Sequence, residues 1–355
     1  MQFISSNKFK LAAVLPLVLA SLLTACGGSS TATSAPSAPS APASVFADTK
    51  LVGDLAGAAP NTDPNLINAW GIAFNPTGYV WVANTATATS TLYDGNGVRQ
   101  TLVVKTPPAP IGIVFNGSTD FNGSPFIFST ALGAIAAWSP ATDPANAATV
   151  FDGSASGTSY IGLAIASNNG ANYIYAADFA NNKIDVFDAK FAKATLPGNF
   201  TDPKVPAGYG PYNIQTIGNR IYVAYAKHAG NFAEHAVGSG IISVFDTAGN
   251  LVKQLVAGGT LNAPWGIAQA PANFGTLSGK LLVGNFGDGL IQAYDPDTGA
   301  ALGMLRKADG SNIVVDGLWG LAFGNGVNNQ PTNTLFYTAG PNGTTHGLYG
   351  RIDVK

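Results

Sequence analysis

Asn262-Ala263-Pro264-Trp265-Gly266-Ile267-Ala268 is the phrase that decides the fold, because the chain repeats it. Asn68-Ala69-Trp70-Gly71-Ile72-Ala73 and Asp316-Gly317-Leu318-Trp319-Gly320-Leu321-Ala322 are its nearest copies. Ala109-Pro110-Ile111-Gly112-Ile113 and Ser159-Tyr160-Ile161-Gly162-Leu163-Ala164 are weaker ones, and Gly210-Pro211-Tyr212-Asn213-Ile214 is degenerate. Measured between the anchoring Gly residues or their equivalent, the spacings are 41, 50, 51, 53 and 54 residues. A fixed period of this size marks a repeat architecture and outranks local propensity.

The segments between the phrases repeat as well. In the first unit Gly71-Ile72-Ala73-Phe74 reads as a short apolar strand, and Asn75-Pro76-Thr77-Gly78 as a turn. Tyr79 to Asn84, Ser90 to Tyr93 and Gln100 to Val104 read as three more strands. Four short antiparallel strands at this period make one propeller blade. The last unit stops at Lys355 with its fourth strand missing, whereas a spare strand-like segment, Thr49 to Leu55, precedes the first unit. It reads like Leu251 to Val256, the expected fourth strand of unit five. The expected fold is therefore all-β: a six-bladed β-propeller over residues 46–355, closed by an N-terminal strand that also removes an exposed edge.

Composition agrees. Charged residues make up 10% of the chain, against about 25% in ordinary soluble domains, while Gly numbers 43 and Pro 22. Many turns and few charged helix faces point to strands. The formal net charge of −2 argues against a nucleic-acid partner, which calls for a basic surface. One cysteine excludes an intrachain disulfide.

That cysteine sits at a telling place. Lys8 and Lys10 precede an apolar run from Leu11 to Leu23, which leads into Leu23-Thr24-Ala25-Cys26. The run is too short to span a membrane as a helix and fits a secretory leader. Leu-x-Ala-Cys resembles the lipobox of bacterial lipoproteins, which implies a signal peptide over residues 1–25 and lipidation of Cys26. No acidic residue comes directly after Cys26, so an outer-membrane anchor is expected. Residues 26–45, rich in Ser, Ala and Pro, read as a tether.

The repeats resemble NHL-type and other six-bladed propellers of the TolB-like superfamily. Asn262 to Trp265, Leu282-Val283-Gly284-Asn285-Phe286-Gly287-Asp288-Gly289 and Phe336 to Leu348 resemble an uncharacterised family of exported bacterial propellers. Many of its members carry a PEP-CTERM sorting tail, whereas this sequence shows a lipobox and no such tail. The resemblance implies the fold and no particular activity.

Candidate site residues come from connectivity. In a four-stranded antiparallel blade the connections from strand four to the next strand one share a face with those from strand two to strand three. Trp70, Trp265 and Trp319 open first strands in blades one, five and six, and Tyr212 holds the same position in blade four. Together they suggest a platform for stacking a flat ligand; the plainer reading is packing between blades. His228 and His235 fall in the long insert Ala226–Ser239 beside Glu234, and His346 in the blade-six connection. Such residues suit acid–base or metal chemistry, but six residues between His228 and His235 is not a tight ligand spacing. No metal or cofactor is expected. Asp295 to Gly299 reads as a hairpin turn rather than a Ca²⁺ loop. Asn84, Asp178 and Asn285 end second strands and are expected to bond loop backbone.

Three functions remain in play. The leading one is an envelope-anchored monomeric module that binds a small molecule, glycan or protein, or serves as a scaffold. The alternative is an enzyme, a His-based lyase or hydrolase working on the loop face. The lactonases among six-bladed propellers need an acidic metal ligand at the start of a first strand, and the sole Glu, Glu234, lies in an insert. The third is a structural matrix protein bound to envelope polymer.

Overall fold

The computed structural model describes residues 43–355. The expected leader, Cys26 and nearly all of the tether lie outside the described residues. The rest is a ring of six blades, each with four antiparallel strands, to which Asn61–Thr62 adds a short parallel strand outside blade six and Phe232–Ala233 a short pairing on the second strand of blade four. Their innermost strands are Ala69–Phe74, Pro110–Phe115, Tyr160–Asn168, Tyr209–Ile217, Pro264–Gln269 and Leu318–Phe323. Leu251–Ala257 is the outer strand of blade four, not of unit five. The insert between the second and third strands of blade four delays that strand and obscures the count.

Phe46–Gly53 closes the ring. It pairs antiparallel with Leu348–Val354, from Phe46 opposite Val354 to Gly53 opposite Leu348, with a bulge between Lys50 and Val52. Phe46, Leu51 and Val52 are buried there, and the Tyr337 hydroxyl donates to Asp48 Oδ1 at 2.7 Å. Blade six thus takes its outer strand from the start of the fold, so the two ends of the ring are joined by a strand ladder.

The blades explain the strand composition. Middle strands such as Val80–Asn84, Phe126–Thr130 and Ala134–Trp138 are buried at every residue, because each has a neighbouring blade on both faces. They therefore read as continuous apolar runs, not as alternation. Outer strands such as Arg99–Lys105 meet solvent and carry the charge.

The repeated Gly has a steric cause. Each blade carries a register shift within the phrase, at Ala69/Ile72, Pro110/Ile113, Tyr160/Gly162, Pro211/Asn213, Pro264/Gly266 and Leu318/Leu321. The bulge bends the inner strand where neighbouring blades come closest. A Cβ on Gly266 would lie 2.6 Å from the Trp319 carbonyl oxygen, and one on Gly320 would lie 2.7 Å from that of Trp70. Only Gly lets the backbones approach so closely. Blade four departs from this rule with Asn213, whose Nδ2 donates to the Trp265 carbonyl oxygen at 2.6 Å.

One charged cluster lies between strands of blade three. Asp185 receives Lys193 Nζ at 2.8 Å, Lys183 Nζ at 2.9 Å and the Tyr160 hydroxyl at 2.7 Å. Burial works to raise its pKa, but the bonds from Lys193, Lys183 and Tyr160 together hold it below the ordinary Asp value. A depressed folded pKa means stability that is present above the ordinary Asp range and lost as pH falls through the folded value. Both lysines are partly solvated, which weakens the pair. Asp185→Asn should therefore cost about 1–2 kcal/mol at neutral pH. The difference should shrink once the pH falls below the ordinary Asp range. Paired urea melts at neutral pH and below that range check this; an equal loss at both would refute it.

Candidate functional site

The upper face, carrying the connections into first strands and those between second and third strands, receives one residue from each blade just before the anchoring position. These are Trp70, Ile111, Ile161, Tyr212, Trp265 and Trp319, and all six are buried in one cluster. They plug the upper end of the central channel. Trp70 stacks on Trp319 with centroids 3.4 Å apart and an interplanar angle of 19°. Phe286 also stacks on Trp319, at 3.7 Å and 10°. Trp265 meets Trp70 edge-on at 5.8 Å, and Tyr212 does so at 6.5 Å.

The indole N–H groups are all satisfied. Asn68 Oδ1 accepts from Trp70 Nε1 at 2.8 Å and from Trp319 Nε1 at 3.1 Å. Asn68 sits at φ 51°, a left-handed conformation that Asn tolerates better than most residues. Trp265 Nε1 donates to the Ile161 carbonyl oxygen at 3.0 Å. Burial raises the Tyr212 pKa, so its phenol stays neutral.

This geometry corrects the expectation of an exposed stacking platform. The four aromatics do converge, but they spend their faces on one another. Trp319 is only 1% exposed, and Trp265 5%. A ligand cannot stack where another ring already lies.

The three histidines surround the plug without meeting one another. His228 Nε2 lies 2.7 Å from Asn182 Oδ1, and its ring packs over Phe179 at 4.1 Å. Burial lowers its pKa, which favours the neutral imidazole. His235 packs edge-on against Phe286 at 4.8 Å. His346 Nδ1 lies 2.9 Å from Asp54 Oδ2, while Asp54 Oδ1 accepts from the Gly347 N–H at 3.0 Å. Glu234 is tied to Lys227 Nζ at 2.6 Å, away from a shared constellation with the histidines. Among the described residues no group of three or more His, Cys, Asp or Glu is placed to hold a metal.

Phe179 and Phe286 carry no mark in the repeated phrase, although each stands directly after the Asx residue that ends a second strand. Those Asx residues behave differently from one another. Asp178 Oδ1 accepts from the Ser159 and Asn181 N–H groups, and Asn285 Oδ1 from the Asn262 N–H. Asn84 instead donates to the hydroxyls of Thr89 and Thr91. Asp295 Oδ1 accepts from the Asp297 and Thr298 N–H groups, as a hairpin turn requires.

Below the plug the channel narrows to about 20 Å³, space for roughly one water. It then widens to about 270 Å³ towards the lower face, between blades four, five, six and one. Ile72, Gln215, Thr216, Ile267, Leu321 and Phe323 are among its lining residues, and none of the lining residues is charged.

No family model matches the chain. It is 34% identical over 325 residues to "Uncharacterized protein R648" of Acanthamoeba polyphaga mimivirus, covering 85% of this chain and 78% of that one. It is 33% identical over 317 residues to "Uncharacterized protein L690" of the same virus, covering 83% and 82%. Among solved structures, an auxiliary nutrient binding protein from Bacteroides thetaiotaomicron superposes with a TM-score of 0.59 at 11% identity, over 88% of this chain and 77% of that one. Streptogramin B lyase gives 0.51 at 13% identity, over 88% and 98%. At such identities these likenesses show the propeller fold alone. The expected kinship was bacterial, whereas these sequence relatives are viral. With more than four-fifths of its length aligned to both, this chain belongs to one family with the uncharacterised mimivirus proteins R648 and L690.

Proposed function

We propose that the protein is a binding module held at the cell envelope through a lipid on Cys26, and that its upper face engages a protein partner. The observation that carries this reading is where large apolar side chains are left in water. Of the ten exposed large apolar side chains among the described residues, five, Leu55, Leu132, Phe232, Val237 and Val314, lie in connections of the upper face, and the two most exposed share one insert. Phe232 is 78% exposed and Val237 68%, both in the insert of blade four. Exposed apolar side chains gathered on one face mark interaction surfaces. The tightly packed aromatic plug gives these loops a rigid base, which lowers the ordering cost of binding.

The test uses captured partners from envelope extracts together with a glycan array. Phe232→Ser with Val237→Ser should weaken protein capture about tenfold or more, as expected of interface anchors. Melting should be unchanged, because neither side chain is buried. Retained capture by the double variant, or binding to glycans alone, would sink the protein-partner reading. Cys26→Ser should move the chain out of the membrane fraction; unchanged fractionation would remove the anchor.

A second reading rests on His346. Its Nδ1 is oriented by Asp54, and among the described residues Nε2 has no hydrogen-bond partner. An Asp–His pair of this kind can act as a general base. Turnover of an ester or lactone panel that is lost in His346→Gln would favour the enzyme over the binding module.

A further inference from the structure

The six inner strands allow a position-by-position comparison around the channel axis. Two residues beyond the anchoring position stand Ala73, Val114, Ala164, Gln215, Ala268 and Ala322. The strand pairing confirms the equivalence: Ala73 lies opposite Trp81, Gln215 opposite Tyr222, Ala268 opposite Leu282 and Ala322 opposite Phe336. Five blades place a small aliphatic residue here and blade four a carboxamide. One residue further on, Phe74, Phe115, Ile165 and Phe323 are apolar, whereas Thr216 and Gln269 are polar. The repeat is therefore broken on adjacent strands, those of blades four and five, and the break faces the wide lower chamber.

The amide of Gln215 is not consumed by the fold. Among the described residues its one hydrogen bond is a long 3.4 Å contact from Nε2 to the Thr216 carbonyl oxygen. Asn213, two residues earlier, is by contrast spent on the Trp265 carbonyl. The Thr216 hydroxyl is buried without a partner. A half-buried carboxamide left this free has no structural reason to replace Ala. Blade one lies opposite blade four in a ring of six, and there the chamber is lined by Ile72, with Leu321 and Phe323 of blade six beside it.

We infer that the lower chamber is a second binding site, entered from the face opposite the loop face, for a small uncharged amide with an apolar flank. A carboxamide presents a donor and an acceptor side by side, which an amide group matches reciprocally. The wall of Ile72, Leu321 and Phe323 takes the apolar flank. An ionised ligand is disfavoured, since the lining offers no countercharge to offset its desolvation. At about 270 Å³ the chamber stands at the small end of ligand pockets. The narrow throat and the aromatic plug above it separate this site from the upper face, so its occupancy is independent of the proposed partner surface.

The probe is δ-valerolactam, with valerate as its charged counterpart, titrated into the purified protein with isotope-labelled methyl groups. The lactam should bind saturably and shift the methyl resonances of Ile72, Ile267 and Leu321, and valerate should not. Gln215→Ala installs the residue that four other blades carry, so it should fold with an unchanged melting temperature. It should weaken the lactam about five- to tenfold, as expected for losing one or two neutral hydrogen bonds. Leu321→Trp, which fills the chamber from the apolar wall, should abolish binding. The inference is overturned if the lactam fails to saturate, if valerate binds equally, if Gln215→Ala binds as wild type, or if the shifted resonances belong to the upper face. None of these outcomes bears on capture of a partner through Phe232 and Val237.

Discussion

Deleting residues 46–56 is expected to unfold the whole ring, not merely to fray one end. The segment supplies the outer strand of blade six, and its loss strips the ladder from Leu348–Val354. Phe46, Leu51 and Val52 leave the core with it. Burial of each such side chain contributes about 1.5–3 kcal/mol, so apolar burial alone amounts to about 5 kcal/mol or more. Tyr337 would also lose its hydroxyl bond to Asp48. A domain is stable by only about 5–15 kcal/mol, so the loss is of the same order as the total. The newly bared edge would add aggregation to instability. Thermal melts of the truncated chain check this, and an unchanged transition would show that the ring does not depend on this strand.

Trp319→Ala is the second change with a large expected effect, and its target is stability rather than ligand affinity. The indole is covered on both faces, by Trp70 and by Phe286, and donates to Asn68. Truncating a buried Trp in a packed core costs about 3–5 kcal/mol. Trp319→Phe retains stacking and loses the N–H donor, so it should cost clearly less. Denaturant unfolding of the two variants measures both. If Trp319→Ala kept wild-type stability while losing a ligand, the rings would be a recognition surface after all and the plug would be incidental.

The contrast between these residues and Gln215 shows where sequence reading succeeds. Trp70, Trp265 and Trp319 stand out because they recur at one place in a repeated phrase, and recurrence across blades is the mark of a shared packing role. Gln215 does not stand out, because its signal is a departure from the repeat, visible only once the inner strands are aligned by their anchoring residues. Phe179 and Phe286 have no signal in spacing alone. Their rings matter because two connections fold inward over the plug, and no local pattern reports that direction.

The number of blades, their inner and middle strands and the closing strand are legible in the amino-acid sequence, whereas the outer strand Leu251–Ala257 reads one blade too late because of the blade-four insert. The physical reason is that each blade must bury both faces of its middle strands and bring its inner backbone to the axis, so every unit must restate the same apolar runs and the same Gly. Which aromatics are buried is settled at a later level, by how the blades pack. An aromatic at the start of an inner strand can face solvent, a ligand or another ring, and these outcomes share one sequence. Four such residues, together with Ile111 and Ile161, come from segments up to 249 positions apart, Trp70 to Trp319; they meet at one axis, and their mutual fit fills the space a ligand would have used. The same closure leaves the opposite end of the channel open beside Gln215, because small residues in the remaining blades do not reach across it.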